Sequence, residues 1–156
     1  MKRATSQAGD DKGARAETMR KFVEKYVKAK DLDVGFASAS EVARTRHGDC
    51  TEHGVLLAAM LRADGIPARV VSGLVYVETG EAGGIFGYHM WAQALLEKAG
   101  KPTWVDLDGT LPGPRPFDAT HVALGMSALA EGEEAQSLAS ILPLMGRLSI
   151  KVESAE

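Results

Sequence analysis

The stretch DCTEHGVLLAAMLRADGIP, residues 49–67, predicts one buried helix with a marked start and a marked end. Asp49 is a good N-cap, and Cys50–Asp64 consists of good helix formers with little charge in the middle. Gly65 supplies a left-handed cap, and Pro67 prevents the helix from continuing. Because the run is mostly apolar, we expect this helix to lie inside the domain.

Upstream of this stretch, the sequence predicts two further helices and a tail. Apolar residues recur at helical spacing from Glu17 to Lys30, as in an amphipathic helix. Ser38 and Glu41 stand in the capping-box arrangement before a short helix. Met1–Arg15 has no periodicity, so we expect a disordered or vector-derived tail, followed by one domain over residues 16–156.

Downstream, the pattern changes to that of strands. Ala68–Val77 is rich in β-branched residues, and two further strands, Gly87–Leu96 and Thr103–Asp108, are joined as a hairpin. Weaker patterns predict a short helix near Glu133–Leu142 and a last strand over Leu148–Val152. Helices followed by a small antiparallel sheet indicate an α+β domain rather than βαβ winding.

Composition limits what this domain can do. The 156 residues are 45% hydrophobic with a net charge of −3 at pH 7, which suits a soluble domain and gives no basic footprint for nucleic acid or an anionic membrane. The single cysteine cannot form an internal disulfide. No apolar run suits a membrane span or a secretory signal, so we expect a cytoplasmic protein by default, or a domain taken from a longer chain.

Cys50 is the candidate nucleophile. It stands in the first turn of the predicted buried helix, where free N–H groups and the positive end of the helix dipole favour an anion. A thiolate there is nucleophilic if a base reaches it, and a histidine held by a carboxylate is the usual partner. The predicted hairpin downstream carries residues of both kinds.

The hairpin offers a histidine and two carboxylates. In an antiparallel pair, the residue numbers of opposed positions have a constant sum. With the loop centred between Lys98 and Ala99 this sum is 98 + 99 = 197, so His89 lies opposite Asp108. Asp106 shares the same face about 7 Å away. A slip in register would exchange the two, so Asp108 is the preferred orienting group and Asp106 stays open.

Successive blocks of the sequence resemble the transglutaminase-like superfamily. They are GDCTEH (48–53), GIPARVV (65–71), YHMW (88–91) and WVDLDGT (104–110), and DATH (118–121) resembles the tail of bacterial members. The resemblance covers roughly residues 17–124 and implies a papain-like α+β core. Carried over position by position, it implies Cys50 as nucleophile, His89 as base and Asp108 as acid, with Asp108 standing four residues after Trp104.

The reaction implied by this resemblance is cysteine-dependent acyl transfer. The Cys50 thiolate would attack an amide carbonyl of a peptide or protein, His89 would protonate the leaving amine, and the thioester would pass to water or to an amine. No cofactor and no metal ion is expected. The chain departs from the family where Gly109 replaces the usual Pro, and both tryptophans follow the cysteine, whereas animal transglutaminases use an upstream Trp.

Two other classes compete for the same residues. A catalytically inactive protein-binding domain on the same fold would keep Cys50 as a small buried hydrophobe. A metal-dependent hydrolase would instead bind a zinc ion through four side chains. These are Cys50, His53, His89 and Asp108.

A third interpretation of the sequence would place the protein in a different class of enzyme. Trp104–Leu111 also matches the first motif of haloacid-dehalogenase-like phosphatases. The 156 − 110 = 46 residues after Thr110 are too few for the crossovers of a doubly wound sheet. We interpret His47 and His121 as loop hydrogen-bond partners rather than catalysts.

Overall fold

The computed structural model describes residues 10–28, 37–80, 83–112, 117–129, 142–144 and 146–151. Three helices come first: α1 (Lys12–Tyr26), α2 (Ala39–Thr45) and α3 (Cys50–Ala63). Four strands follow: β1 (Ala68–Glu78), β2 (Gly84–Lys98), β3 (Lys101–Leu107) and β4 (His121–Ser127), with a short 3₁₀ turn over Leu142–Leu144. The sheet is antiparallel in the order β3-β2-β1-β4. This confirms the α+β prediction.

Local hydrogen bonds explain where α3 begins and ends. Asp49 caps its start, and Glu52 completes a capping box by accepting the N–H of Asp49 at 3.0 Å. At its end Gly65 adopts a left-handed backbone with φ 76°, and the N–H of Ile66 bonds to the carbonyl of Leu61 at 2.9 Å. That pairing is a Schellman cap. Both helix boundaries therefore agree with the sequence prediction to within a residue.

The hydrophobic core lies between the helices and the sheet. It includes Met19 and Val23 of α1, Leu57 and Leu61 of α3, and Val70, Ala92 and Ala94 of the central strands. Helix α3 packs closely on β2 at Gly54, where a Cβ would be in van der Waals contact with the backbone of Trp91 at 3.5 Å. Within the described ranges, no helix has the length and apolar character needed to cross a membrane.

Helix α1 begins earlier than the sequence predicts. The side chain of Asp11 accepts the N–H of Gly13 at 2.8 Å and so starts a helix at Lys12. The expectation of a disordered tail up to Arg15 is therefore wrong for residues 12–15. Arg15 also binds Asp64, at the end of α3, at 2.7 Å. The polar first turn hides this start from a search for apolar periodicity, and residues 1–9 lie outside the described ranges.

The hairpin register differs from the predicted one by two positions. Lys98 pairs with Lys101, so opposed positions sum to 98 + 101 = 199 rather than 197. The two-residue turn is made by Ala99 and Gly100, whose φ values of 50° and 74° are those of a type I′ turn, which matches the twist of the strands. Because a shift of two preserves the face of each side chain, His89 stays near Asp108.

The C-terminal part of the chain departs most from expectation. β4 pairs with β1 along the edge of the sheet, although the sequence analysis predicts no strand there. The predicted last strand is absent over residues 148–151, where Leu148 and Ile150 are exposed. Val152, and residues 133–141 of the predicted helix near Glu133–Leu142, lie outside the described ranges.

Replacing Ala99 with Asn tests the turn. A left-handed backbone costs a non-glycine residue about 1 kcal/mol, and Asn tolerates it better than Ala. We expect Ala99→Asn to raise the free energy of unfolding by about 0.5 kcal/mol and Gly100→Ala to lower it by about 1 kcal/mol, both measured by urea titration. Two variants with wild-type stability would contradict the turn described here.

Candidate active site

A buried carboxylate, Asp108, stands directly after β3 at the centre of a polar cluster. Its Oδ2 atom accepts hydrogen bonds from Nε2 of His89 at 2.7 Å and Nε2 of His121 at 3.3 Å. Its Oδ1 atom accepts the N–H of Thr110 at 2.8 Å and the Thr110 hydroxyl at 2.7 Å. The residue is only 1% exposed. These four bonds supply the partners that a buried charge requires.

The segment after β3 is held against the helices by backbone contacts. The Arg20 guanidinium of α1 donates to the carbonyl of Asp108 at 3.3 Å and to that of Leu111 at 2.9 Å. Gly109 packs on α1 so closely that a Cβ would lie 3.2 Å from Cγ1 of Val23. This close approach gives a physical reason for glycine at a position where the family usually has proline.

His89 lies on β2 between Asp108 and the start of α3. Its Nε2 atom bonds to Asp108 at 2.7 Å, and the Cys50 side chain lies close enough to the ring to raise the pKa of His89. Cys50 is half-buried at the first position of α3. The structure therefore brings together the three side chains that the sequence nominates.

The start of α3 is built so that the thiol has one backbone donor beside it. The side chain of Asp49 takes up the N–H groups of Thr51 and Glu52, and its carbonyl takes that of His53. Cys50 is the first residue of α3, so its own N–H has no acceptor within the helix. A free donor next to the sulfur is the geometry required to bind an oxyanion.

Glycine precedes the N-cap for a steric reason. Gly48 has φ 147°, and a Cβ there would lie 2.2 Å from Cβ of Glu52. Glu52 is fully buried and accepts the N–H of Ala37 at 3.0 Å as well as that of Asp49. Burial raises the pKa of the Glu52 carboxyl. The block Gly48–His53 is thus a close-packed corner that fixes the position of Cys50.

Charge in the cluster favours an imidazolium next to a carboxylate. Burial disfavours the protonated ring, but the hydrogen bonds and charges of Asp108 and Cys50 outweigh it and raise the pKa of His89 to about 9. Burial likewise opposes ionisation of Asp108, but the hydrogen bonds from His121 and His89 hold the pKa of that carboxyl well below its usual range. The site therefore favours an ion pair between the His89 imidazolium and the Asp108 carboxylate.

Asp106, the other carboxylate considered, has different partners. Its Oδ1 atom accepts Nε1 of Trp91 and Nε2 of Gln93, both at 2.7 Å. Nε of Arg69 donates to the side-chain oxygen Oε1 of Gln93 at 2.8 Å. The guanidinium carbon of Arg69 lies 4.1 Å from the centroid of the Trp104 ring. Asp106 thus orders one face of the sheet, and the structure leaves the contact with His89 to Asp108.

His121 is the member of the cluster that sequence reasoning misses. The interpretation as a loop residue is wrong because His121 starts β4, and its side chain is 1% exposed. Its ring lies 4.1 Å from that of Phe117 and 5.3 Å from that of Trp91, measured between centroids. The resemblance of residues 118–121 to bacterial members is the signal that could have indicated it.

The four side chains that the sequence suggests as zinc ligands differ from the group of possible metal ligands that the fold brings together. His53 is buried and its Nδ1 atom is hydrogen-bonded to the carbonyl of Asp49. Among the described residues, the group whose ligand atoms lie within 4.8 Å of one another is His89, Asp108 and His121. These three are joined by the hydrogen bonds given above. His47, the remaining histidine, is exposed.

Comparison with known proteins gives a family and a fold. A model of the transglutaminase-like superfamily matches residues 1–109. A candidate cysteine protease from Cytophaga hutchinsonii superposes with a TM-score of 0.57 at 19% identity, over 81% of this chain and 42% of that one. The structure of EGTA-treated LapG from Legionella pneumophila superposes with a TM-score of 0.53 at 17% sequence identity. The match covers 91% of this chain and 82% of LapG. The chain spans less than half of the first structure, and no curated protein matches it.

The raised pKa of His89 predicts a pH-dependent stability. Its folded value of about 9 lies above the ordinary value of 6.5, so the protonated ring stabilises the fold fully below pH 6.5 and less as the pH rises through 9. We expect the difference in unfolding free energy between wild type and His89→Gln to shrink by about 3 kcal/mol from pH 6 to pH 10 in urea titrations. His47→Gln, at an exposed imidazole, is the control. A difference that is constant or grows with pH would contradict the assignment.

Proposed function

The chain belongs to the transglutaminase-like superfamily, and on that premise we propose that it transfers acyl groups from peptide or protein amides through Cys50, His89 and Asp108. One observation carries the proposal. A buried carboxylate holds Nε2 of His89 at 2.7 Å, and the Cys50 side chain, at a helix start, lies close enough to the same ring to raise its pKa. That order of groups activates a cysteine nucleophile.

The first half-reaction forms a thioester. The thiolate of Cys50 attacks the amide carbon, a C–S bond forms, and the carbonyl π electrons move to oxygen. The backbone N–H of Cys50 donates to this oxyanion. When the oxyanion collapses, the C–N bond breaks and His89 gives its proton to the leaving nitrogen, which departs as ammonia or an amine.

The second half-reaction returns the enzyme to its starting state. Neutral His89 takes a proton from water or from an amine as that molecule attacks the thioester carbon. The C–S bond breaks, and the thiolate of Cys50 leaves beside the re-formed imidazolium. Water gives a carboxylic acid, whereas an amine gives a new amide. Asp108 stays ionised throughout and fixes the orientation of the ring.

Iodoacetamide measures the reactivity of the thiol without knowledge of the substrate. We expect the folded wild-type protein to be alkylated at Cys50 at pH 6 and His89→Ala to react at least about 100-fold more slowly, because the imidazolium that stabilises the thiolate is gone. Asp108→Asn should also slow the reaction. Asp106→Asn, two positions before Asp108 and within β3, is the matched control, and it should keep a rate near that of wild type.

The alternatives to an enzyme are outcomes of this experiment. A structural thiol in an inactive binding domain would react only on unfolding, and that result would overturn the proposal. Loss of reactivity in Asp106→Asn with retention in Asp108→Asn would reassign the carboxylate. A wild-type rate restored only by a chelator would favour the metal-dependent alternative.

An activated ester tests acyl transfer itself. We expect p-nitrophenyl acetate to give a burst of nitrophenolate equal to the Cys50 content, followed by steady turnover, and Cys50→Ala to give neither phase. An added primary amine that accelerates the steady phase would indicate transfer, whereas an unchanged rate would indicate hydrolysis. A wild-type trace without a burst and without turnover above the Cys50→Ala trace would contradict the proposed chemistry.

A further inference from the structure

Two histidines from opposite sides of β1 share one oxygen of Asp108. His89 lies on β2 and His121 on β4, and both bond to Oδ2, at 2.7 and 3.3 Å. Gly73 of β1 is paired with His89, and a Cβ there would lie 2.1 Å from the carbonyl oxygen of Val122 and 2.9 Å from the Trp91 ring. The missing side chain lets β4 and its histidine approach the site.

The ring of His121 is held on every side. Phe117 and Trp91 lie against it, and its Nδ1 atom is 3.3 Å from the hydroxyl of Thr120 and 3.6 Å from Oδ1 of Asp118. The Thr120 hydroxyl donates its proton to Asp118, so it offers an acceptor to Nδ1. Because the ionised carboxylate of Asp108 can only accept, Nε2 of His121 is the donor in the bond between them.

The carboxylate of Asp108 is fixed at both of its oxygens. Thr110 occupies Oδ1 with two bonds, and His121 occupies one of the two acceptor positions of Oδ2. The remaining position of Oδ2 is aimed at His89. A carboxylate at the end of a strand would otherwise be free to rotate about its side-chain bonds, and the His89 ring would turn with it.

We propose that His121 is a positioning residue, which holds Asp108 so that the carboxylate keeps His89 oriented toward Cys50. This inference rests on the proposed function of the same site. His121 contacts neither the thiol nor the reacting carbon in this scheme, and acts through Asp108 alone. Among the described residues, the titratable groups that face His121 are Asp108 and Asp118, with the His89 ring at 5.7 Å between centroids.

Two substitutions at position 121 separate positioning from packing. His121→Leu keeps an apolar side chain between the aromatic rings but removes the donor, whereas His121→Gln keeps an N–H that can reach Asp108. We expect His121→Leu to lower the rate of Cys50 alkylation by iodoacetamide at pH 6 by roughly 10- to 100-fold, because a small misplacement of a catalytic group has an effect of that size. His121→Gln should recover most of the rate. His47→Leu is the matched control at an exposed histidine.

A pH profile and an ester assay would change if His121 positions Asp108, but they would not change if His121 only packs against its neighbours. We expect the alkylation profile of His121→Leu to shift its acid limb to higher pH, because Asp108 has lost a donor that favours its ionised form. With p-nitrophenyl acetate, kcat should fall while KM changes little. The downfield proton resonance of the bond between His89 and Asp108 should broaden or disappear in His121→Leu and return in His121→Gln.

The outcomes distinguish this inference from the proposed function. If wild type reacts at pH 6 but His121→Leu keeps the wild-type profile, the positioning role alone is overturned. If His121→Gln is as impaired as His121→Leu although both melt at the wild-type temperature, the donor is not what matters, and the inference also falls. If wild type itself fails to react, both fall. If His121→Leu does not fold, the rate and resonance of His121→Gln decide.

Discussion

The need to satisfy a buried charge organises this molecule. Asp108 is 1% exposed and ionised, so its carboxylate must find hydrogen-bond donors inside the protein. The donors come from β2, from β4 and from the turn that follows β3. Arg20 of α1 then binds the backbone of the same residue. Asp108 thus connects β2, β4 and the first helix through its side chain and its backbone, and the candidate site lies at this residue.

The thiol is placed by a second, local constraint. Gly48, Asp49 and Glu52 form a close-packed corner at the start of α3, and the buried Glu52 carboxylate also binds the backbone at Ala37. A half-buried cysteine at that corner faces the dipole of a helix and the ring of His89. The helix start therefore fixes the position of the cysteine, and the carboxylate fixes the ring of His89.

Features encoded by neighbouring residues could be predicted from the sequence, whereas features that depend on long-range pairing could not. The caps at Asp49 and Gly65 involve side chains a few positions apart, and their prediction is confirmed. The predicted hairpin register is wrong by two positions, because the turn is set by the left-handed backbone of Ala99 and Gly100 rather than by the centre of the polar segment. β4 and His121 were missed, since a short strand with a glycine and a bulge beside it has little periodicity.

The most direct test of the central claim is a proton titration of the ¹⁵N-labelled imidazole of His89 by NMR. We expect both ring nitrogens of folded wild type to stay protonated until the pH approaches about 9, and Asp108→Asn to return the titration toward the ordinary value. A wild-type ring that loses its proton near pH 6.5, or a titration that Asp108→Asn leaves unchanged, would show that the buried carboxylate does not control His89.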